Sequence, residues 1–296
     1  MTGSVLRLTP THKRFFLCFG LFFFGSLLHV SVSFAETAIF NPLRVYLLEQ
    51  GFKTKQVDWV LSHEKMRFEA KILARMLSVK ESKLNYGRFL SEKSLKRSRD
   101  FLVKHKGPLS QAHKTTGVPP EVIVAILNVE TSLGSYTGTH NTMSILASQA
   151  VLDTKEARKR LAVYWPKDRT KEISSRKNLK RFIKRAHWAK GEVASLLKLS
   201  QKWRKNPFAF QGSPAGAFGM SQFVPTSALK WAKDGDNDGR VDLFTSTDAI
   251  FSVANYLKAH GWQQGLGQRK QKSVILTYNK STPYARTVLE LARRLK

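Results

Sequence analysis

Apolar residues recur at helical spacing along almost the whole chain, with polar residues on the opposite sides of the same segments. Near the C-terminus, for example, Tyr284, Val288 and Leu291 fall on one stripe. No convincing run of alternating apolar and polar residues indicates strands, and no repeat is evident. The pattern therefore predicts a mainly α fold. The predicted helices lie at Leu43–Gln50, Gln56–Leu61 and Met66–Val79, from Ser91 toward His113, from Pro120 with Gly134 as the stop, within Arg176–Lys205, in residues 245–261 with Gly261 as the stop, and from Thr282 onward.

One carboxylate lies on an apolar side of a predicted helix. In the helix that begins at Pro120, the side chains of Ile123, Leu127 and Glu130 share a face. Burial and the negative end of the helix dipole would both raise the pKa of this carboxyl group. A carboxyl group with a raised pKa can act as a general acid. The alternative is a glutamate at the helix edge that reaches solvent. The helix taken alone favours this alternative, so the other segments must decide.

The segment "QGSPAGAFGMSQFVPTS" interrupts the helices with glycine and polar residues. Gly212, Gly216 and Gly219 would leave the backbone bare enough for a flat ligand to approach closely. Ser213 and Gln222 supply a hydroxyl and an amide, which can hydrogen-bond sugar hydroxyl and N-acetyl groups. Linkers seldom carry phenylalanine and methionine among their glycines, so a binding loop is favoured over a flexible linker.

The segment "DGDNDGRVDLFTSTD" has the spacing of an EF-hand loop. Thr245 stands where the twelfth position of such a loop normally has Glu. Asp248, three residues later, can supply the missing ligand; alternatively, it caps the following helix. We therefore expect a structural Ca²⁺ and no organic cofactor. The expected ligands are Asp234, Asp236, Asp238, the carbonyl oxygen of Arg240, and Asp248.

The segment "TYNKSTPYA" places Tyr278, Asn279 and Tyr284 around a helix start. An aromatic side chain next to an amide is typical of sugar-binding platforms. Core tyrosines beside a helix cap are an equally good interpretation from the residues alone.

The first 35 residues have the pattern of a signal peptide. Basic residues precede a long apolar run, residues 15–34, and Ser33-Phe34-Ala35 has the small-x-small pattern of a cleavage site. A membrane anchor is the alternative, since the run is just long enough to span a bilayer. Cys18 is the single cysteine of the chain, so a processed protein has no disulfide and no thiol chemistry. These features predict a protein of the bacterial periplasm.

The chain carries a large excess of positive charge, with a formal net charge of +29. Between Lys155 and Lys205, 18 basic residues stand against 4 acidic ones. Such a balance indicates an anionic partner, which can be nucleic acid, acidic lipid or an acidic polymer. The alternative is a solvated helix face. The sequence motifs of zinc proteases, P-loop enzymes and serine hydrolases are absent.

Four segments, in this order, resemble the lytic transglycosylases of the membrane-bound lytic transglycosylase B type, including their soluble forms. The resemblance begins near Phe40 and reaches the end of the chain, so it covers nearly all of the expected mature protein. The segments are "GVPPEVIVAILNVETSLGSYTG", "GSPAGAFGMSQFVPTS", "DGDNDGRVDLFTSTDAIFSVANYLKAHGW" and "YNKSTPYA".

The resemblance implies a lysozyme-like catalytic α domain, an additional helical domain and an EF-hand-like calcium loop. Residues 36–296 would form this lytic transglycosylase region, and the basic helical segment at about 153–205 would belong to it. The implied partner is peptidoglycan, with other cell-wall enzymes as further candidates. A nucleic-acid partner is not expected, and we expect a monomer.

The resemblance also implies the reaction. Glu130 matches the family's single catalytic acid, which cleaves the bond between N-acetylmuramic acid and N-acetylglucosamine and leaves a 1,6-anhydromuramoyl end. A non-catalytic scaffold of the same fold and a lysozyme-type hydrolase are the alternatives. By the same matching, the residues of the glycan groove would be Ser213, Gln222, Tyr278 and Asn279, with Tyr284 nearby.

Two departures from the family pattern both concern the groove. Ser132-Leu133 follow Glu130 where the family often has a basic and an aromatic residue. "GMSQF" stands where an aromatic-proline pair often precedes the glutamine. These changes affect the expected substrate preference more than the expected chemistry.

Overall fold

The computed structural model describes residues 37–78 and 85–296, and the predicted signal peptide lies outside the described residues. Helices dominate this part of the chain, as the hydrophobic pattern predicts. Within it, no helix is both long enough and apolar enough to cross a membrane. The helices are α1 (Asn41–Glu49), α2 (Thr54–Ser62), α3 (Ala70–Ser78), α4 (Glu92–Lys104), α5 (Lys106–Thr116), α6 (Pro120–Thr131), α7 (Thr142–Ala150), α8 (Lys155–Ala162), α9 (Arg176–Lys202), α10 (Pro225–Trp231), α11 (Ser246–Ala259), α12 (Gln268–Tyr278) and α13 (Thr282–Leu295), with 3₁₀ turns at Tyr86–Leu90, Lys167–Ser174 and Pro207–Ala209.

Several helix ends follow directly from local sequence. Proline is pre-organised for the first helical position, and α6 begins at Pro120. Ser281 caps α13 by accepting a hydrogen bond from the backbone N–H of Tyr284. Gly261 has a φ of 97° just after α11, a left-handed conformation that stops a helix.

The helix expected from Ser91 toward His113 is divided in two. Ser91 does cap a helix, but α4 ends at Lys104 and α5 begins at Lys106. Pro108 explains the break, because a proline inside one continuous helix would lack an N–H and clash with the preceding turn. In the observed arrangement Pro108 lies in the first turn of α5, where both problems disappear.

The helix expected at Met66–Val79 begins later, at Ala70, and its last predicted residue lies outside the described residues. The segment before it bonds to another helix instead. The hydroxyl of Ser148 on α7 accepts from the N–H of Glu69 and donates to the carbonyl of Arg67. Long-range bonds of this kind cannot be read from helical periodicity.

A short antiparallel pair brings the glycine-rich segment to the start of α7. Strand β1 (His140–Asn141) pairs with β2 (Gln211–Gly212), and His140 lies opposite Gly212. Asn141 also caps α7, because its side chain accepts from the N–H of Ser144. This pairing fixes where the loop after Gly212 begins.

Helix α6 lies at the centre of the main hydrophobic core, with every residue from Val122 to Asn128 buried. Helices α4, α5, α11 and α13 pack against it. A second hydrophobic cluster, which includes Leu73, Trp165 and Phe182, lies beneath the basic segment. Helices α8 and α9 therefore bury one side each, although they carry a high density of lysine and arginine.

Candidate active site

Glu130 occupies the last turn of α6 and is half-buried. Its Oε1 accepts a 2.6 Å hydrogen bond from the hydroxyl of Tyr284 on α13. Burial raises the pKa of the carboxyl group from 4.5 to about 7, and the hydrogen bond from Tyr284 acts in the opposite direction. The group can therefore hold or release a proton near neutral pH.

Two tyrosines surround this carboxyl group. Burial raises the pKa of both Tyr278 and Tyr284 well above 10, and the neighbouring charge of Glu130 adds to the effect. Both phenols thus remain neutral hydrogen-bond donors. The Tyr284 hydroxyl donates to Glu130, whereas the Tyr278 hydroxyl donates to the carbonyl oxygen of Ser221.

Two cavities meet at Glu130, and its neighbours Arg88, Phe89 and Val129 line both. The smaller, of about 370 Å³, is otherwise lined by Asn85, Tyr86, Asn279 and Tyr284. The larger, of about 490 Å³, is otherwise lined by Ser91, Lys93, Ser94, Arg97, Thr131, Ser132 and Tyr136.

The chain turns sharply immediately after Glu130. Ser132, Leu133 and Gly134 have φ values of 51°, 63° and 87°, so three successive residues are left-handed. Non-glycine residues adopt this conformation at a cost of about 1–2 kcal/mol each. Thr131 secures the turn, because its hydroxyl accepts from the N–H of Gly134 and donates to the carbonyl of Met220. The end of α6 is thereby tied to the glycine-rich segment.

The glycines of that segment serve a different purpose from the one predicted. A Cβ on Gly212 would lie 2.0 Å from the carbonyl oxygen of Ala217, and one on Gly216 would lie 2.4 Å from the side chain of Leu146. The protein itself fills the space that was expected to admit a flat ligand. The interpretation that these glycines expose bare backbone to a ligand is wrong, because they allow close internal packing.

Ser213 and Gln222 are both held by their own loop. The hydroxyl of Ser213 points to the carbonyl of Ala217, at 3.4 Å. The amide nitrogen of Gln222 donates to the carbonyls of Thr137 and Gly219, at 3.0 and 2.9 Å. Neither residue lines the two cavities at Glu130, whereas Asn279 and Tyr284 do.

Two polar side chains, one from α7 and one from α9, hold the tip of the same loop by hydrogen bonds. The guanidinium of Arg185 donates to the side-chain oxygen of Gln149 and to the carbonyl of Ala215. The Gln149 amide in turn donates to the carbonyl of Pro214, at 3.2 Å. Gln149 is fully buried, and Arg185 also stacks on Trp188. The basic helix α9 thus supports the loop that carries Ser213.

The acidic loop brings together three of its predicted ligands. Carboxylate oxygens of Asp234, Asp236 and Asp248 lie within 4.8 Å of one another. Asp248 is buried and accepts hydrogen bonds from the N–H groups of Gly235 and Asp242, at 2.8 and 2.6 Å. It therefore ties α11 to the loop, as expected for a ligand displaced beyond position 12. Asp238 is not in this cluster; its side chain accepts from the N–H of Arg240.

The cluster has the chemistry of a cation site. Oδ1 of Asp234 is buried without a hydrogen-bond partner, which is costly for a carboxylate oxygen. Burial raises the pKa of Asp248, and the charges of Asp236 and Asp234 add to this. Three converging carboxylates match the oxygen ligands that Ca²⁺ takes. Their geometry therefore fits the predicted ion.

Sequence reasoning missed one wall of the site. Its residues precede Glu130 by more than 30 positions and belong to no recognised motif. They are Tyr86, Arg88, Lys93 and Arg97. The capping signal at Ser91 locates the helix that carries two of them. Helical spacing also places Lys93 and Arg97 on one face, but nothing local shows that this face borders Glu130.

Comparison with known proteins gives a consistent result. Residues 36–271 match the family described as the Transglycosylase SLT domain. The membrane-bound lytic murein transglycosylase B of Escherichia coli K12 is 32% identical over 178 residues. That alignment spans 60% of this chain and 41% of the relative, so well under half of the relative is matched.

Solved structures show the same fold. The Escherichia coli lytic transglycosylase Slt35 in complex with calcium superposes with a TM-score of 0.66 at 23% identity, covering 87% of this chain and 92% of that one. SltB3 from Pseudomonas aeruginosa in complex with NAG-anhNAM-pentapeptide gives 0.67 at 20% identity, covering 86% and 78%. The fold is therefore the lysozyme-like, mainly α fold that was predicted. With the family match over most of its length, the chain belongs to the transglycosylase SLT family.

Proposed function

We propose that this protein is a peptidoglycan lytic transglycosylase that uses Glu130 as its single acid and base. The observation that carries the proposal is a half-buried carboxyl group with a pKa of about 7, bonded to a neutral tyrosine, where two cavities meet. This chemistry is supported by the match to the Transglycosylase SLT domain family and by the lytic transglycosylase relative from Escherichia coli.

In the first step, protonated Glu130 donates its proton to the oxygen that bridges N-acetylmuramic acid and N-acetylglucosamine. The bond from C1 of the muramoyl sugar to this oxygen breaks as the muramoyl N-acetyl oxygen bonds to C1. In the second step, ionised Glu130 accepts the proton of the C6 hydroxyl, whose oxygen bonds to C1 as the bond between C1 and the N-acetyl oxygen breaks. The product has a 1,6-anhydromuramoyl end, no water is consumed, and Glu130 regains its proton.

A single carboxylate is sufficient for this sequence of steps. A hydrolase of the lysozyme type needs a second carboxylate across the scissile bond. Among the described residues that line the two cavities, Glu130 is the only acidic one. This arrangement favours the transglycosylase reaction over hydrolysis.

Tyr284 and Asn279 are proposed to position the glycan and the acid. The Tyr284 hydroxyl holds the carboxyl group in place and stabilises its ionised form between the two steps. Asn279 lines the same cavity and offers an amide to the sugar. Ser213, Gln222 and Tyr278 shape the adjoining loop through their internal bonds, and we assign them a supporting role.

Asp234, Asp236 and Asp248 would hold a structural Ca²⁺, with Asp238 and the Arg240 carbonyl as further candidate ligands. The ion would neutralise three clustered carboxylates and join the loop to α11. Slt35 in complex with calcium supports this choice of ion. The signal-like N-terminal sequence supports a periplasmic location for the proposed reaction.

The test is mass spectrometry of soluble products from purified sacculi treated with residues 36–296. We expect anhydromuramoyl products from the wild type and none from Glu130→Gln. Glu121→Gln is a matched control, because Glu121 lies on the same helix but lines a different cavity, away from Glu130. Reducing muramoyl ends would show a hydrolase, and sacculus binding without products would show a scaffold.

A further inference from the structure

The first half of helix α9 carries an exposed band of positive charge. Residues 176–190 contain seven lysine and arginine residues and no acidic residue. Residues four positions apart are neighbours on a helix surface, so the exposed members of this set form two adjoining rows. We refer to these exposed residues as the basic face; they are Arg176, Lys177, Lys180, Arg181 and Lys184.

This charge is not used to stabilise the helix. Within the part of the chain that the structure describes, no ion pair involves a residue of the basic face. Like charges four positions apart repel each other and destabilise a helix. Arg176 and Lys177 also lie in the first turn, where the positive end of the helix dipole disfavours cations. An arrangement that costs the free protein stability indicates a partner that is itself anionic.

Exposed apolar side chains lie close to the basic face. Ile183 precedes Lys184 on α9 and is 56% exposed, and Tyr164, just after α8, is 52% exposed. Their neighbours along the chain pack together, because the rings of Trp165 and Phe182 meet edge to face with centroids 6.3 Å apart. Ile183 and Tyr164 therefore lie in the same region of the surface.

Cations with exposed apolar side chains among them suit the surface of an anionic bilayer. The lipid phosphates attract the cations, and the apolar side chains enter the boundary between the headgroups and the acyl chains. An acidic polymer such as nucleic acid would bind the cations but would give Ile183 no favourable environment. The combination therefore favours a phospholipid surface over a polyanion.

A cavity of about 580 Å³ opens at the edge of the basic face, where Lys177 and Arg181 line it. This volume is within the usual range for ligand sites. Glu172 is the one acidic residue among its described lining residues, and Arg169 bonds both of its carboxylate oxygens at 2.8 Å. The charges of that pair cancel, so Lys177 and Arg181 give the cavity a net positive charge.

The same cavity borders a hydrogen-bond donor that the protein leaves unpaired. Trp165 lines the cavity and is only 3% exposed, and its indole N–H has no hydrogen-bond partner among the described residues. A buried donor without a partner is costly. The cavity also lies at the beginning of α9, because Ser175 both caps that helix and lines the cavity. A phosphate group suits both the donor and the positive end of the helix dipole.

We propose that the basic face, together with Ile183 and Tyr164, docks the protein on anionic phospholipid, and that a headgroup phosphate enters the cavity at Lys177 and Arg181. This partner goes beyond the proposed function. Among the described residues, none of the basic face lines either cavity at Glu130, so docking leaves the lining of the active site unused.

The test is co-sedimentation of residues 36–296 with vesicles of phosphatidylcholine, either alone or mixed with phosphatidylglycerol. Val32–Lys296 form one compact unit, and leaving out residues 1–35 removes an apolar run that would bind lipid by itself. At low salt, the affinity for the anionic vesicles should exceed that for the neutral ones by about tenfold or more. Lys177→Gln together with Arg181→Gln, the cavity pair, should lower the affinity for anionic vesicles about tenfold or more.

Two control pairs remove the same charge from the same helix. Lys198→Gln with Lys202→Gln lies outside the basic face and should have little effect. Lys180→Gln with Lys184→Gln lies on the basic face but does not line the cavity, so it should cause a smaller loss than the cavity pair. Equal losses from all three pairs would overturn the proposal, because net charge alone would then explain binding. Equal losses from the two pairs on the basic face alone would overturn the headgroup site.

A fluorescent label tests the apolar contact separately. Residues 36–296 contain no cysteine, so Ile183→Cys gives a single site for a polarity-sensitive dye, and Lys198→Cys gives the matched control. On anionic vesicles the emission at position 183 should shift to shorter wavelength, and the emission at position 198 should not. An unchanged emission at position 183 would overturn the proposed docking. Equal binding to neutral and anionic vesicles, with DNA or sacculi bound through the cavity pair, would show that the face binds an acidic polymer instead.

Discussion

The phenolic hydroxyl of Tyr284 lies 2.6 Å from Oε1 of Glu130 and donates its hydrogen bond to that oxygen. This bond favours the ionised carboxylate, whereas the burial of the group favours the protonated acid. Burial has the larger effect, so the pKa is about 7. The pair therefore holds one proton that can leave and return near neutral pH.

The first prediction concerns the pH dependence of cleavage. Because the first step of the proposed mechanism requires protonated Glu130, kcat/KM should fall as pH rises through about 7. The measurement is kcat/KM for soluble glycan strands from about pH 5 to about pH 9. A rate that stays flat to the upper end of this range would contradict the assignment of Glu130 as the acid.

The second prediction concerns stability. The folded-state pKa of Glu130 lies above its unfolded value of 4.5, so the folded protein binds more protons between pH 4.5 and about 7. Ionising this group therefore lowers the free energy of unfolding as pH rises through that window. Glu130→Gln removes this effect. Above neutral pH, its free energy of unfolding should exceed that of the wild type by up to about 3 kcal/mol.

Urea unfolding at several pH values measures this difference. The two proteins should converge at pH values below 4.5, where Glu130 is protonated in both states. Glu121→Gln controls for the loss of a carboxylate from the same helix. Parallel stability curves for Glu130→Gln and the wild type would show that folding does not raise the pKa of Glu130.

The third prediction separates the roles of the acid and its donor. Tyr284→Phe removes the hydrogen bond that lowers the pKa of Glu130, so the alkaline limb of the pH profile should move to higher pH. The maximal rate should fall about tenfold, since bonds to charged groups contribute about 1.5–3 kcal/mol. Steady-state kinetics over the same pH range measure both effects.

Tyr256→Phe is the control for this change. Its hydroxyl donates to the carbonyl of Thr277, at 2.7 Å, so it has no direct bond to the acid. This variant should keep the wild-type pH profile even if it is less stable. If both variants shift the pH profile equally, Tyr284 acts on the pKa of Glu130 through general packing and not through its hydrogen bond.

The fourth prediction concerns calcium. At a Ca²⁺ concentration about 100 times Kd, the wild type should gain about 3 kcal/mol of stability. That corresponds to a rise of about 5–10 °C in Tm for a protein of this size. Asp234→Asn and Asp248→Asn should remove the response because both residues belong to the carboxylate cluster.

Asp238→Asn should retain more of the calcium response, since Asp238 lies outside that cluster. Mg²⁺ at the same concentration controls for charge alone and should give a smaller shift, because Mg²⁺ demands a tighter octahedral site. A calcium response in Asp234→Asn and Asp248→Asn as large as that of the wild type would show that calcium does not bind at this cluster.

Local signals predicted much of the fold. Pro120 marks the start of α6 and Gly261 the end of α11, and both are governed by backbone chemistry within one turn. The position of Glu130 on an apolar stripe also follows from helical spacing alone. The contacts that join these helices cannot be predicted from local signals. The contact of Ser148 with Glu69, for example, depends on how two helices meet.

The glycine-rich loop shows why the rest of the site could not be predicted. From sequence, Gly212 and Gly216 indicate missing side chains but not what occupies their place. Ala217 and Leu146 occupy it, and the second of these lies some 70 positions away. The same holds for Lys93 and Arg97, because they border the cavity at Glu130 only once α4 is placed beside α6.

Glu130 and Tyr284 are 154 positions apart, which has a consequence for the order in which the chain becomes active. Helices α4, α5 and α6 are synthesised long before α13. A partly synthesised chain thus has Glu130 without the hydrogen bond from Tyr284, and cannot complete the pair until α13 packs on α6. During refolding, activity should return with this last packing step and lag behind the recovery of helical content.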